Sequence, residues 1–537
     1  MDEVKILNLL QDQWLPVKER NENETTIKIS DLAGETGDNF IEILAPRADF
    51  KAAIHQLLIG ILQTAFAPKD SREWKKYWRN PPSKDELAQA FKPIELAFNL
   101  NTENGVPAFM QDFDLLGGEN KNISTLLIDA PGGKTIKDNT DHFVKRNGVE
   151  KLSPYWAAIA LFTLQINAPS GGVGHRVSLR GGGPMTTLIM PPENTQNDTL
   201  WHRLWLNILT QEEMLTQSGN HTIENLSAIF PWMANTRTSE KKGMETYPDS
   251  THPLQMYWSM PRRMRLHWSD NAGICDLSGE PSERLVSQFH TKNYGVNYSG
   301  NWVHPLTPYV FETDKEPLSI KGQPGGLGYR HWLGLAVLGS SGNTKKTPAK
   351  NVQVYSNSRR GWIDDASFIP RLWAFAFDMD NMKARCWYET TMPIFNLKPD
   401  ALDNLQDYAQ KMILAAVDVL KTLKSALKSA WFNRPKDAKG DISYIDANFW
   451  SSTETEFYRL LAQLAELTEQ DDDAAVIQIL TGWSHHLKQA AHQLFDQYAL
   501  NSMNEDGDFK RVIKAKHGKG GLEHYLKGSK ALKALAA

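Results

Sequence analysis

Cysteine is nearly absent from this chain: Cys275 and Cys386 are the only two among 537 residues. That leaves no thiolate-rich metal site, and such low usage suits a reducing compartment. No apolar run reaches the roughly eighteen residues that a membrane span requires. The amino terminus, Met1-Asp2-Glu3-Val4-Lys5, is acidic and shows no secretory pattern. A cytoplasmic, membrane-free protein is expected. Catalytic signatures are missing as well, with neither His-Glu-x-x-His nor Gly-x-Ser-x-Gly present. Gly172-Val173-Gly174 starts like a dinucleotide fingerprint, but Val177 stands where the third glycine belongs. Gly133-Lys134-Thr135 imitates the end of a phosphate loop, but Ile128 occupies the required glycine position. Asp141-His142, Glu454/Glu456 and His485-His486 supply titratable groups without a mechanistic spacing. Neighbouring helical histidines diverge by about 100° and do not readily chelate one ion. No enzyme, metal or cofactor is expected.

A net charge of −4 excludes a uniformly basic nucleic-acid binder, so any such role must rest on local patches. One candidate patch is conspicuous. The thirteen residues from Gly171 to Gly183 hold six glycines together with His175, Arg176 and Arg180. No Asp or Glu occurs between Glu150 and Glu193. A chain without Cβ atoms can lie close to a narrow surface. Arginines with no competing carboxylate suit a phosphate backbone. The plainer alternative is a glycine-rich turn pair joining a helix to a strand.

The length implies two or more domains. Seventeen tryptophans imply substantial cores or aromatic contact surfaces. Before residue 397, strand-like runs alternate with helices and long loops, giving a large mixed domain over 1–396. Helices are expected at 54–67 and 155–167, and strands at 185–190 and 264–268. Residues 117–153, 236–251 and 340–352 read as polar connections. After Pro399, apolar residues recur at three- and four-residue spacings over 403–432, 453–468, 472–499 and 509–534. The 397–537 region therefore reads as a four-helix bundle, and the whole as an α+β chain. Lys421, Lys424 and Lys428 share a face of the first bundle helix, and the last helix is rich in lysine. A solvated face is the simpler account of such runs.

The order of several blocks resembles the CasA-type large subunit of Cascade, the type I-E CRISPR surveillance complex. The blocks are Leu9-Leu10-Gln11-Asp12-Gln13-Trp14-Leu15-Pro16-Val17, Phe98-Asn99-Leu100-Asn101 and Phe109-Met110-Gln111. The glycine block follows, running through Leu179-Arg180-Gly181-Gly182-Gly183-Pro184-Met185-Thr186-Thr187. Asn301-Trp302-Val303-His304-Pro305-Leu306-Thr307-Pro308 and Phe377-Asp378-Met379-Asp380-Asn381-Met382-Lys383-Ala384 complete the order. Such a subunit performs no chemical change. The resemblance implies that it recognises the protospacer-adjacent motif in duplex DNA from the minor groove. It also implies help with strand separation and R-loop formation, and support for docking of the helicase-nuclease. The implied partners are the other Cascade subunits, the CRISPR guide RNA, double-stranded target DNA and its displaced strand. A scaffold that binds nucleic acid without reading a tag is the competing reading.

The resemblance assigns tag and DNA contacts to Gly171, Gly172, Gly174, His175, Arg176 and Lys292. It makes Leu127, Ile128 and Asp129 a tag-proximal loop. A strand-separating wedge falls at Asp380, Asn381 and Met382, with Asn381 smaller than the glutamine of some relatives. Lys421, Lys424 and Lys428 become a track for the displaced strand. Some relatives carry a cysteine cluster suited to zinc, of which only Cys275 remains here. The loop around it must be held by other contacts.

Overall fold

The computed structural model describes residues 6–33, 39–101, 106–114, 116–131, 136–138, 148–215, 225–269, 271–341, 343–363, 365, 367–380, 383–437, 439–468, 470, 472–501 and 508–536. The chain forms two compact units: Met1–Gly322 with Pro348–Tyr388, and Gln323–Thr347 with Glu389–Ala537.

The first unit is organised around two apolar helices. Ala48–Ala65 is buried on nearly every side, as a helix in the middle of a core must be. Most of its polar groups are satisfied, although the buried His55 Nε2 has no hydrogen-bond partner. Gln63, for example, donates to the Leu209 carbonyl at 2.9 Å and accepts from the Leu209 N–H at 2.8 Å. Pro154–Asn167 starts with proline at its first position, where no N–H is needed, and buries all but one of its residues. Many of the tryptophans form core. Trp201 and Trp205 stack at 5.0 Å, Trp74 and Trp78 at 5.5 Å, and Arg359 lies against both Trp74 and Trp362.

Two small sheets position the segments of interest. Thr186–Met190 pairs antiparallel with Arg371–Asp380, from Arg371 opposite Met190 to Phe375 opposite Thr186. Lys383–Pro393 lies on the other side of Arg371–Asp380. In the second sheet Leu285–Lys292 is central, between Glu119–Asn122 and Arg263–Ser269. The expected polar connection over 340–352 is in part ordered, with a strand at Thr344–Thr347 and a helix at Lys350–Asn357.

In the second unit the helices are Pro399–Trp431, Ser443–Leu467 and Asp473–Phe495, followed by Phe509–His517, Leu522–Gly528 and Lys530–Lys533. Pro399–Trp431 packs on each of the others. The second helix begins ten residues earlier than the 453 start, because Ile445, Phe449 and Trp450 also face the core. The expected continuous helix over 509–534 is corrected to three short ones. Gly518, Gly520 and Gly521 break it, with Gly520 at φ +81° and a Cβ on Gly521 falling 2.7 Å from the Ala515 carbonyl oxygen. Within the same unit Tyr329 is buried against Phe457 at 4.3 Å, and its backbone N–H donates to Glu454. Glu454 thus caps a backbone donor while Glu456 pairs with Arg459 at 2.6 Å. His485 is exposed and His486 lies flat on Trp483, so the two side chains diverge as helix geometry requires.

Candidate nucleic-acid interface

The first glycines form a loop hung from the end of the Pro154–Asn167 helix. Its base is closed by Ser178 N–H to Ala168 O at 2.9 Å and Gly183 N–H to Asn167 O at 3.0 Å. At the tip, Gly171 N–H donates to His175 O at 3.3 Å. Gly172 and Gly174 both sit at φ +76°, where a side chain is strained. Their surroundings differ sharply. A Cβ on Gly172 would meet nothing within 4 Å, and neighbouring Val173 is 76% exposed. A Cβ on Gly174 would lie 2.8 Å from the Asn293 Cβ and 3.1 Å from the Tyr294 ring. The Tyr294 N–H donates to Gly174 O at 2.7 Å, which fastens this side of the loop. The loop therefore has one open backbone face and one clamped face.

The cations around it have distinct duties. Arg176 is committed to structure: Nε donates to Ser239 Oγ at 2.7 Å and Nη2 to Ser239 O at 2.9 Å, with the Tyr294 ring 6.0 Å away. Arg180 is buried, donating to Thr186, Thr307 and Gln56 at 2.8–3.1 Å. Burial pulls its pKa down to about 10, so it stays charged near neutrality and braces the core. His175 is half-buried, and burial, then the nearby Arg262 and Lys121 charges, hold its imidazole below its ordinary pKa. Lys292 is exposed at the end of the central strand, paired in register with Arg263. It lies two residues before Tyr294, so the structure brings it beside the clamped face of the loop. Asn293, Tyr294, Ser239 and Arg262 were not found by sequence reasoning. The adjacent arginines of Pro261-Arg262-Arg263 were the available signal.

The second glycine run does a different job. A Cβ on Gly183 would lie 2.8 Å from Met379 Cγ and 2.9 Å from Phe377 O. Gly322 bridges Asp378 on the same strand. These close approaches seat the strand that ends in Asp380 directly against the glycine block. Asn381 and Met382 lie outside the described residues. Beyond them, Arg385 pairs with the buried Asp378 at 2.7 Å, tying the returning strand to the outgoing one.

Leu127 is buried, Ile128 half-buried and Asp129 exposed. The turn is stabilised by Ala130 N–H to Leu127 O at 3.0 Å. Asp129 accepts from Arg47 at 3.0 Å, and Arg47 also pairs with Asp49 at 2.9 Å. Asp129 shares the single Arg47 charge with Asp49, so its own charge is only partly offset. It faces a cleft of about 290 Å³ shared with Phe377, Arg385, Cys386 and Trp387. The 127–129 turn thus lines the same cleft as residues of the Arg371–Asp380 and Lys383–Pro393 strands, and Lys292 stands two residues from the Tyr294 that fastens the glycine loop. Gly132–Thr135 and Asp141-His142 fall outside the described residues.

Cys275 is buried and free. Its loop is held by hydrogen bonds: Cys275 N–H to Glu280 O at 2.9 Å, and Glu150 and Lys151 N–H to Asp276 at 2.7 and 2.8 Å. Among the described residues, no three His, Cys, Asp or Glu side chains are grouped to hold a metal. No helix of the described residues is long and apolar enough to cross a membrane.

In the helical unit, Lys421 is exposed and Lys428 half-buried. Lys424 is paired with Asp446 at 2.6 Å. Spacing put the three on one face, but the charge along that face is partly neutralised. In the last segments, Lys516 pairs with Asp496 at 2.5 Å and Arg511 donates to Ala430 O at 2.8 Å. Part of that basic run is thus structural.

Residues 8–494 match the family of CRISPR-associated protein Cse1. The chain belongs to the Cse1 family. Its fold is similar to Thermobifida fusca Cse1, with a TM-score of 0.69, 16% identity and 99% of both chains covered. Thermus thermophilus CasA gives a TM-score of 0.65 and 17% identity, covering 98% of this chain and 100% of that one. A chain of a CRISPR RNA-guided surveillance complex, described as pre-nicking, gives 0.58 and 13%, covering 94% of this chain and 100% of its own. The Cse1 fold thus accounts for both units, including the helical end.

Proposed function

We propose that this Cse1-family chain is the large subunit of a cytoplasmic RNA-guided surveillance complex of the Cascade type. It recognises a short tag in duplex DNA from the minor groove, starts strand separation and supports recruitment of a helicase-nuclease. It carries out no chemical step itself. The observation that carries this reading is the asymmetry of the glycine loop. Gly172 presents bare backbone to open space while Gly174 is clamped on Asn293 and Tyr294. A fixed main chain whose tip carries only the small, exposed Val173 side chain between two glycines can enter a groove about 6 Å wide and meet base edges there. Lys292 stands where it can join that contact. The packing of Gly183 on Met379 supports a wedge role for the segment around Asp380, because the glycine run that closes the base of the tag-reading loop is seated on that strand.

Gly172→Asp tests this directly. The substitution adds a carboxylate at the open face without a clash inside the protein. The guide complex should still assemble, and discrimination between tagged and untagged duplex should be lost. Retained discrimination would defeat the assignment.

A further inference from the structure

Five arginines of the first unit are almost completely buried: Arg180, Arg262, Arg263, Arg265 and Arg359. Four have firm partners for their terminal nitrogens, although the Nε of Arg359 is also buried with no hydrogen-bond partner. Arg263 pairs with Asp112 at 2.6 Å, Arg265 donates to Asp112 O at 2.7 Å, Arg359 pairs with Glu213 at 2.5 Å, and Arg180 has three neutral acceptors. Arg262 is the exception. Its side chain donates through Nη2 to Pro169 O, its Nε is buried with no hydrogen-bond partner, and no carboxylate faces it among the described residues. Nη1 meets no acceptor among the described residues. Such an under-satisfied buried guanidinium calls for a physical explanation.

Its position supplies one. A Cβ on Gly171 would lie 2.9 Å from both Nη1 and Nη2, so the guanidinium is packed directly against the bare backbone of the loop. Pro169, its one carbonyl partner, is the residue that leads into that loop. Burial lowers its pKa only to about 10, so it is a permanent cation at neutral pH. The surrounding stretch from Lys151 to Pro192 contains no acidic residue.

We propose that Arg262 is a phosphate-binding residue of the glycine loop, with Nη1 donating to a phosphodiester oxygen of the duplex backbone. The inference rests on the reading of this loop as the nucleic-acid contact. Gly171 is then required because any side chain there would collide with the guanidinium. Arg176 is held by Ser239 and supports the loop, whereas Arg262 supplies the fixed charge. A guanidinium held in place before the ligand arrives loses little freedom on forming a charge-assisted bond. Because a phosphate carries no sequence information, Arg262 sets affinity and position and leaves the choice of tag to the glycine backbone.

The test uses the reconstituted guide complex containing the full chain, with tagged and untagged target duplexes titrated across a salt series. Arg262→Gln should weaken both duplexes equally, about tenfold at low salt, and reduce the salt slope by about 0.9 for one lost phosphate. Arg262→Lys should restore most of the slope. In the isolated chain, Arg262→Gln should raise the His175 pKa, read by NMR titration, because a nearby positive charge is gone. Gly171→Ala, which pushes the guanidinium aside without removing it, should reproduce the slope loss if Arg262→Gln does not fold. An unchanged slope in a folded Arg262→Gln overturns the proposal, whatever happens to thermal stability. If the slope falls but the wild-type complex does not discriminate tags, Arg262 stands and the proposed tag reading fails.

Discussion

Gly172 and Gly174 share a backbone conformation but not a neighbourhood, and substituting each with alanine separates strain from contact. Both are at φ +76°, where an L-residue costs roughly 1–2 kcal/mol. For Gly172→Ala that is the whole cost, because the new Cβ meets nothing within 4 Å. For Gly174→Ala the Cβ would press on Asn293 at 2.8 Å and on the Tyr294 ring at 3.1 Å. Relieving that contact moves the backbone and weakens the 2.7 Å Tyr294 N–H to Gly174 O bond, a further loss of about 1 kcal/mol or more. Gly174→Ala should therefore be less stable than Gly172→Ala by about 1–2 kcal/mol, and lower in melting temperature by on the order of 2 °C. Tagged-duplex binding should not follow stability: Gly172→Ala loses discrimination while remaining the more stable variant. Calorimetry of both variants, with duplex competition on the reconstituted complex, reads the two effects. Equal stabilities would mean that the Asn293 and Tyr294 contacts do not set Gly174 apart, and a Gly172→Ala complex that discriminates like wild type would mean that the open face does not read the tag.

Other expectations follow from charge and burial. Arg359→Leu leaves Glu213 without its bidentate partner beside Trp74 and Trp362, and should cost about 3 kcal/mol or more in urea unfolding; a loss under about 1 kcal/mol would contradict this. Lys421→Ala and Lys428→Ala should each lower the salt slope of R-loop formation by up to about 0.7, whereas Lys424→Ala should mainly remove the Asp446 pair, worth under about 1 kcal/mol. Unchanged slopes for Lys421 and Lys428 would remove the displaced-strand track. Burial holds His55, His202 and His331 neutral down to about 3, 4 and 3, against 6.5 for a free imidazole. The unfolded chain then binds more protons below pH 6.5, so this stability is complete above that pH and falls as the solution is acidified. Each histidine contributes a slope of up to about 1.4 kcal/mol per pH unit, and a urea midpoint that stays level from pH 7 to 5 would count against it.

Much of the architecture was legible because periodicity and punctuation agreed. The helices at Ala48–Ala65 and Pro154–Asn167 and the strands at Thr186–Met190 and Arg263–Ser269 lie where apolar runs and prolines indicated. The packing of 323–347 with the helical unit was not legible, since Tyr329 looks like any loop tyrosine until Phe457 and Thr453 close on it. The break after His517 had a signal in Gly518-Lys519-Gly520-Gly521, but lysine spacing continued across it. At the candidate site, the glycine run and Lys292 stood out in the sequence as candidates. It could not tell that Arg176 is committed to Ser239, that Lys424 is paired with Asp446, or that Arg262 lies behind Gly171. Partners of that kind are 63, 22 and 91 residues away in the chain, beyond the reach of any local pattern.

If this chain reads a duplex tag through its glycine loop, the flank preference of the guide complex must depend on it. The most direct measurement is binding of the reconstituted guide complex, with and without the chain, to target duplexes carrying randomised flanking trinucleotides. The chain should enrich a few flanks, and Gly172→Asp should abolish the enrichment. The same flank distribution with and without the chain would contradict it and leave a scaffold or a recruiter in its place.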